Sequence, residues 1–176
     1  MTRILFVCHG NICRSTMAQF VMDELARRAG MSGEVSCDSA ATSTEELGND
    51  VHPGTREQLR WAGIPCRHHR SRQMGPRDYR DFDLIVGMDA DNMDGITRLL
   101  LGETGPGWSW RPTTGEQRRR ADPKGKVSRL LDWAGLDRDV ADPWYTGDFV
   151  ATYHDVLAGC QAMLDAIKEG RTSPLE

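Results

Sequence analysis

The first apolar run of the chain, Ile4-Leu5-Phe6-Val7, is short and unbroken, the pattern of a strand buried on both faces of a parallel sheet. Small and polar residues follow from Cys8 to Ser15, and then Met17, Ala18, Val21, Met22, Leu25 and Ala26 recur at helical spacing. Strand, turn and helix in this order predict a loop that meets a helix N-terminus at one point. Val35 and Cys37 alternate with polar neighbours, predicting a second strand over 34–39 with Cys37 in the core. The polar stretch 42–49 then stands at the carboxyl edge of the sheet, where open α/β sheets place their sites. Pro53 opens a helix over 53–62 that buries Leu59 and Ala62. Leu84, Ile85 and Val86 centre a third strand over 83–88, and a helix starts near Asp89, where Asp89 and Asp91 can cap free N–H groups. Residues 126–131 read as a fourth strand. Phe149, Tyr153, Val156, Leu157, Met163, Leu164 and Ile167 give 148–168 the period of a closing helix, with Cys160 as packing. Strands alternating with helices predict one α/β domain over 1–176, a four-stranded doubly wound parallel sheet flanked by helices.

One stretch breaks the pattern. Residues 102–126 are rich in glycine and proline and carry Trp108, Trp110 and the run Arg118-Arg119-Arg120. A connection from a helix into a strand lies at the amino edge of a parallel sheet. The segment is expected there, away from the chemistry, with its tryptophans anchoring it on the body.

Composition narrows the function classes. The chain has 176 residues, 39% hydrophobic and 27% charged, which suits one ordinary domain with a sizeable core. The net charge of −4 speaks against nucleic acid as a partner, since that binding rests on a basic footprint. Five cysteines without a C-x-x-C pair fit a reducing compartment and speak against a disulfide framework or a zinc site. No metal or other cofactor is expected. The apolar run before Cys8 is too short for a signal peptide or a membrane span, so a cytoplasmic protein with no membrane association is expected. The basic run Arg67, His68, His69, Arg70 and Arg72 reads as a solvated face.

The loop from Cys8 to Ser15 carries the candidate chemistry. Unpaired N–H groups and the macrodipole at a helix start favour a phosphate-sized dianion. The same donors and Arg14 favour the thiolate of Cys8, the nucleophilic form. Arg14 can offer two phosphate oxygens its planar fork, as a lysine cannot. Each residue alone reads as structure, Cys8 as a buried small hydrophobe and Arg14 as an exposed helix-start charge. Strand, glycine-bearing turn and helix start in sequence favour the anion cradle over that reading. No Gly-Lys-Ser/Thr follows, so ATP binding is not indicated.

Val7 to Ser15, with Met17 and Ala18, resembles the signature of the low-molecular-weight protein tyrosine phosphatases. The resemblance continues through Asp38-Ser39-Ala40-Ala41-Thr42-Ser43, Gly63-Ile64-Pro65, Phe82-Asp83 with Met88-Asp89, and Asp142-Pro143-Trp144-Tyr145. It covers nearly the whole chain except 102–126, which reads as an insertion. The resemblance implies the same α/β fold, a tyrosine-phosphorylated protein as substrate, and phosphate or another oxyanion held by Cys8, His9, Gly10, Asn11, Ile12, Cys13, Arg14 and Ser15. It further implies that His68, Ser39 and Asn11 form a network bracing the loop, with support from Asp89, and that Cys13 traps an oxidised Cys8 as a disulfide. In the family the 42–49 segment forms one substrate wall, usually with an aromatic residue, where this chain has Glu45.

On that reading Cys8 attacks phosphorus, Arg14 and loop N–H groups hold the equatorial oxygens, and Asp142 protonates the leaving group. A tyrosyl leaving group is a phenolate of pKa near 10, so an acid lowers the barrier. Asp142 then activates the water that hydrolyses phosphocysteine, and the Ser15 hydroxyl stabilises the departing thiolate. Ile12, Trp144 and Tyr145 supply apolar and flat surfaces for the aryl ring. Thr16 replaces the family's usual proline. Three alternatives stand beside this one. A thiol-linked arsenate reductase needs resolving cysteines, and the middle region holds only Cys66. A phosphoarginine phosphatase carries threonine where this chain has Ile12. A non-catalytic phosphoprotein-binding module has no use for Cys8, Arg14 and Asp142 together.

Overall fold

The computed structural model describes residues 1–103 and 111–174. Four strands, β1 (Thr2–Cys8), β2 (Val35–Ala41), β3 (Leu84–Gly87) and β4 (Val127–Arg129), form one sheet in the order β2-β1-β3-β4. Every neighbouring pair is parallel. Around it stand α1 (Arg14–Arg28), α2 (Pro53–Trp61), α3 (Pro76–Asp81), α4 (Ala90–Leu100), α5 (Gly115–Ala121), α6 (Pro143–Thr146) and α7 (Phe149–Lys168), with a 3₁₀ turn at Leu130–Ala134.

The two-residue period of β1 divides the core. Ile4, Phe6 and Cys8 face the layer of α1 and α7, together with Met17, Val21, Val156 and Met163. Leu5 and Val7 face the opposite layer with Ile96, Leu99 and Met74. A central strand that is fully buried on both sides has no solvent face to mark with polar residues, which explains its continuous apolar run. Gly159 lets α7 approach closely, since a Cβ there would stand 2.5 Å from Leu130. The chain leaves β1 towards β2 on one side and reaches β3 on the other, so the strand order reverses at Cys8. This switch point opens a crevice at the carboxyl edge.

The α/β architecture is as expected, with local differences. β2 runs on to Ala41, because Ala40 and Ala41 pair with Val7 and Cys8. β4 is shorter than 126–131. At Leu130 the chain turns into the 3₁₀ segment, where Asp132 accepts from the Arg129 backbone and guanidinium and Leu130 and Leu131 bury their side chains. Helix α3, absent from the sequence reading, has six residues, too few to show a period. Its Asp78 accepts from the Gly75 N–H across the helix start. Cys37 is half-buried at the core margin rather than inside it.

Between 111 and 126, Thr113 and Arg118 bond Asp94 of α4. Asp122 accepts from the Tyr79 hydroxyl and from the Lys126 and Val127 amides at the amino edge of β4. Trp108 and Trp110 lie outside the described residues. The basic run is largely matched within the chain: Arg67 pairs with Asp23, His68 with Asp50, and Arg72 with Asp38 and Asp78. Among the described residues no helix is long and apolar enough to cross a membrane, and no group of three or more His, Cys, Asp or Glu side chains is placed to hold a metal ion.

Candidate active site

Cys8 ends β1, and the loop beyond it is held from outside by its carbonyls. Those of Cys8 and His9 accept from the Thr42 and Ser43 amides, and that of Ile12 from the His52 amide. The Gly10 carbonyl accepts from the Ser71 hydroxyl, the Asn11 carbonyl from His69 Nε2, and the Cys13 carbonyl from the Thr16 and Thr55 hydroxyls. In a trans peptide the N–H points opposite the C=O. A loop whose carbonyls all face the surroundings therefore turns the N–H groups of His9 to Arg14 towards the concavity. The N-cap of α1, Cys13, makes no side-chain cap bond, so the helix start also presents its donors there.

Asn11 organises the loop from inside. It adopts φ 57°, the left-handed region that asparagine tolerates better than most residues. Its Oδ1 accepts from His69 Nε2 at 3.1 Å and from the Arg72 amide at 3.2 Å, and its Nδ2 donates to Ser15 Oγ at 2.9 Å. Ser15 Oγ also accepts from the Cys8 thiol at 3.1 Å, which leaves its own proton able to turn to the sulfur once the thiol is ionised. Burial holds the His69 pKa below the ordinary histidine value, outweighing the Asn11 backbone bond and nearby carboxylates. The neutral ring then donates from Nε2 to both Asn11 oxygens.

Arg14 is buried, with 2% of its side chain exposed, and three of its five N–H donors are bonded within the protein. One nitrogen donates to Asp89 Oδ2 at 2.5 Å and to the Val140 carbonyl at 3.0 Å; the other donates to Asp142 Oδ2 at 3.1 Å. Burial works against the guanidinium charge, but Cys8, Asp89 and Asp142 outweigh it and hold its pKa above the ordinary arginine value. Asp89 meanwhile caps α4 through the Asn92 amide, and Asp142 caps α6 through the Trp144 amide. Each carboxylate thus has one oxygen for its helix and one for Arg14. Burial first, then Cys8 and Asp142, push the Cys13 thiol up to about 12.

These groups line a cleft of about 100 Å³. Its floor is Cys8, Cys13 and Arg14, and its walls are His9, Gly10, Ile12, Glu45, Glu46, Asp142, Trp144 and Tyr145. Glu45 bonds His9 Nε2 at 2.9 Å across the mouth. Gly10 allows the Glu46 stem to lie against the loop, where an added Cβ would come within 3.1 Å. Trp144 and Tyr145 are exposed at the rim.

Residues 3–105 match the family described as low molecular weight phosphotyrosine protein phosphatase. The chain is 36% identical over 171 residues to the low molecular weight protein-tyrosine-phosphatase YfkJ of Bacillus subtilis, covering 96% of this chain and 97% of that protein. The chain belongs to the low-molecular-weight phosphotyrosine protein phosphatases. The crystal structure of YfkJ superimposes with a TM-score of 0.80 at 34% identity, covering 97% of this chain and 96% of that one. A Drosophila arginine phosphatase superimposes with a TM-score of 0.73 at 26% identity, covering 96% and 98%.

Among the sequence-predicted residues, Cys8, His9, Gly10, Ile12, Cys13, Arg14, Glu45, Asp142, Trp144 and Tyr145 line this cleft, and Asn11, Ser15 and Asp89 stand behind it, Ser15 bonded to Cys8 and Asn11, and Asp89 to Arg14. Two loop supports are corrected. His68 does not reach Asn11: it lies exposed with Nδ1 on Asp50, and the adjacent His69 makes the contact. In extended chain, neighbouring side chains point to opposite sides, and the Asp50 carboxylate receives both the His68 ring and the His69 amide, turning the His69 ring inward. Ser39 is buried but donates to Gln19; the serine hydroxyls that reach the loop carbonyls are Ser43, on His9, and Ser71, on Gly10. Glu46, Ser71, His69 and the Val140 carbonyl were not singled out by sequence. Only His69, as part of a paired histidine in a polar segment, left a visible trace there.

Proposed function

We propose that this phosphatase hydrolyses phosphotyrosine in proteins through a phosphocysteine intermediate, with Cys8 as nucleophile, Arg14 as phosphate clamp and Asp142 as general acid. The observation that carries the reading is the Arg14 side chain, buried and bonded to Asp142 beside the Cys8 thiol in one cleft. An in-line attack by Cys8 puts the leaving oxygen on the far side of phosphorus, towards the mouth where Asp142 stands. Loop N–H groups and Arg14 hold the equatorial oxygens as charge builds on them. Asp142 gives its proton to the phenolate, and the resulting carboxylate takes one from the water that attacks phosphocysteine. Ser15 donates to the sulfur as it leaves. Ile12, Trp144 and Tyr145 form the walls for the aryl ring, and the shallow rim suits a side chain presented by a protein. Five free thiols fit a cytoplasmic setting.

A second reading has two observations in its favour. The arginine phosphatase likeness and Glu45 at the mouth raise phosphoarginine as a substrate, since Glu45 can pair with a guanidinium. Ile12 opposes it, because an apolar wall leaves guanidinium donors unpaired at about 1–3 kcal/mol each. The cleft does not include Cys66, so no second cysteine from the middle region supports arsenate reduction.

The test is kcat/KM for phosphotyrosine and phosphoarginine, measured in wild type, Cys8→Ser and Ile12→Thr. Wild type is expected to prefer phosphotyrosine, Cys8→Ser to lose turnover while still binding phosphate, and Ile12→Thr to shift towards phosphoarginine. Preference of the wild type for phosphoarginine, or near-normal turnover by Cys8→Ser, overturns the assignment.

A further inference from the structure

The aromatic wall of the cleft is held from behind by a residue that does not line it. Trp144 stands on α6, a four-residue helix too short to be rigid through its own hydrogen bonds, and is 59% exposed. Its indole meets the His52 ring edge-on, with centroids 5.8 Å apart and planes at 79°. The other side of His52 lies on Phe149, at 5.0 Å and 19°. His52 is itself pinned twice. Its amide donates to the Ile12 carbonyl of the phosphate loop at 2.8 Å, and its Nδ1 accepts from the Gly54 amide at 3.0 Å, capping α2. Behind Phe149 there is no slack, because a Cβ on Gly54 would lie 2.5 Å from that ring.

We infer that His52 is a positioning residue that sets where the Trp144 wall stands relative to the phosphate loop, and thereby the enzyme's affinity for the aryl part of its substrate. The inference rests on the phosphotyrosine reading of the site. One residue joins three segments that approach the cleft from different parts of the chain: the loop at Ile12 through its backbone amide, the start of α2 through its Nδ1 and the start of α7 through its ring. Asp142 is held independently by Arg14, and the phosphate floor by the bonds to its own carbonyls. Loss of the His52 ring therefore frees the wall without unseating the acid or the cradle. The signature is a change in KM with little change in kcat.

Two substitutions separate the ring from the cap. His52→Asn keeps a short polar acceptor that caps well but removes the stacking surface; His52→Phe keeps a ring and removes the acceptor. His52→Asn is expected to raise KM for phosphotyrosine about two- to ten-fold, the range for an aromatic contact, with kcat, Tm and inhibition by inorganic phosphate close to wild type. His52→Phe is expected to lower Tm by about 2–4 °C, the usual cost of a lost cap in a domain of this size, with KM retained. An unchanged KM in His52→Asn overturns the inference. So does a parallel rise in KM and in the phosphate inhibition constant, or a KM in His52→Phe raised as far as in His52→Asn. Absence of phosphotyrosine turnover in wild type overturns the reading of the site and this inference with it, whereas normal wild-type turnover beside an unaltered His52→Asn overturns this inference alone.

Discussion

Replacing Asn11 by alanine removes a side chain that is wholly buried and bonded on both ends of its amide. The cost can be worked bond by bond. His69 Nε2 keeps a partner, because it also donates to the Asn11 carbonyl at 2.9 Å, so its loss is small. The Arg72 amide loses its Oδ1 acceptor, and an unpaired buried donor costs about 1–3 kcal/mol. Alanine at φ 57° adds about 1–2 kcal/mol of left-handed strain. The expected destabilisation is about 2–5 kcal/mol, a fall of about 1–2 M in the urea midpoint for typical denaturant slopes. Asn11→Gly removes the strain but not the orphaned amide, and is expected to recover about 1 kcal/mol or more of that loss. Activity reports a different bond. Without Asn11 Nδ2, the Ser15 hydroxyl is no longer oriented towards Cys8, so kcat is expected to fall even where the protein remains folded. Urea unfolding and steady-state turnover of an aryl phosphate measure both effects. A destabilisation below 1 kcal/mol, or equal losses in Asn11→Ala and Asn11→Gly, refutes the bond-by-bond reasoning.

Three further outcomes are expected. Asp142→Ala slows phosphate esters with poor leaving groups by about 10²- to 10⁴-fold and activated aryl esters much less; equal losses across a leaving-group series exclude protonation by Asp142. After peroxide, Cys13→Ser recovers less activity with dithiothreitol than wild type, because a Cys8 sulfenic acid can no longer condense with the Cys13 thiol, releasing water and forming a reducible disulfide; unchanged recovery makes Cys13 a packing residue. Stability falls as pH drops through about 6.5, since burial keeps folded His69 below its unfolded pKa of 6.5 and the unfolded chain takes up the proton first. That slope is expected to flatten in His69→Gln. The Asp50 carboxyl, held at about 2 despite burial by bonds from Val51, His69 and His68, stabilises the fold fully above about pH 4 and loses that stabilisation only below it, so a slope near pH 6 that survives in His69→Gln counts against the neutral ring.

The sequence by itself determined the elements whose signal is local. β1 announces itself because both its faces are buried, α7 because twenty residues show a full helical period, and the Cys8 to Ser15 loop because a turn between those patterns has one place to stand. Asp142-Pro143-Trp144-Tyr145 was legible for the same reason: a carboxylate followed by aromatic residues in a loop after the last strand belongs to the carboxyl edge. Tertiary structure alone decided what depends on the direction of one side chain. Whether His68 or His69 reaches Asn11 turns on a single residue of register in extended chain, set by Asp50 some twenty residues earlier and invisible to any pattern of polarity. Ser39 and Ser71 are equally small and polar, and only the crossing of the 71–73 segment beside Ala41 gives Ser71 the Gly10 carbonyl. β4 ended early because the packing of Leu130 and Leu131 against α7 outweighed the strand propensity of 126–131. His52 stayed unmarked for the deepest reason. Its ring gains meaning only from Phe149 and Trp144, and a contact between residues nearly a hundred positions apart leaves no period, cap or turn signal in the chain that makes it.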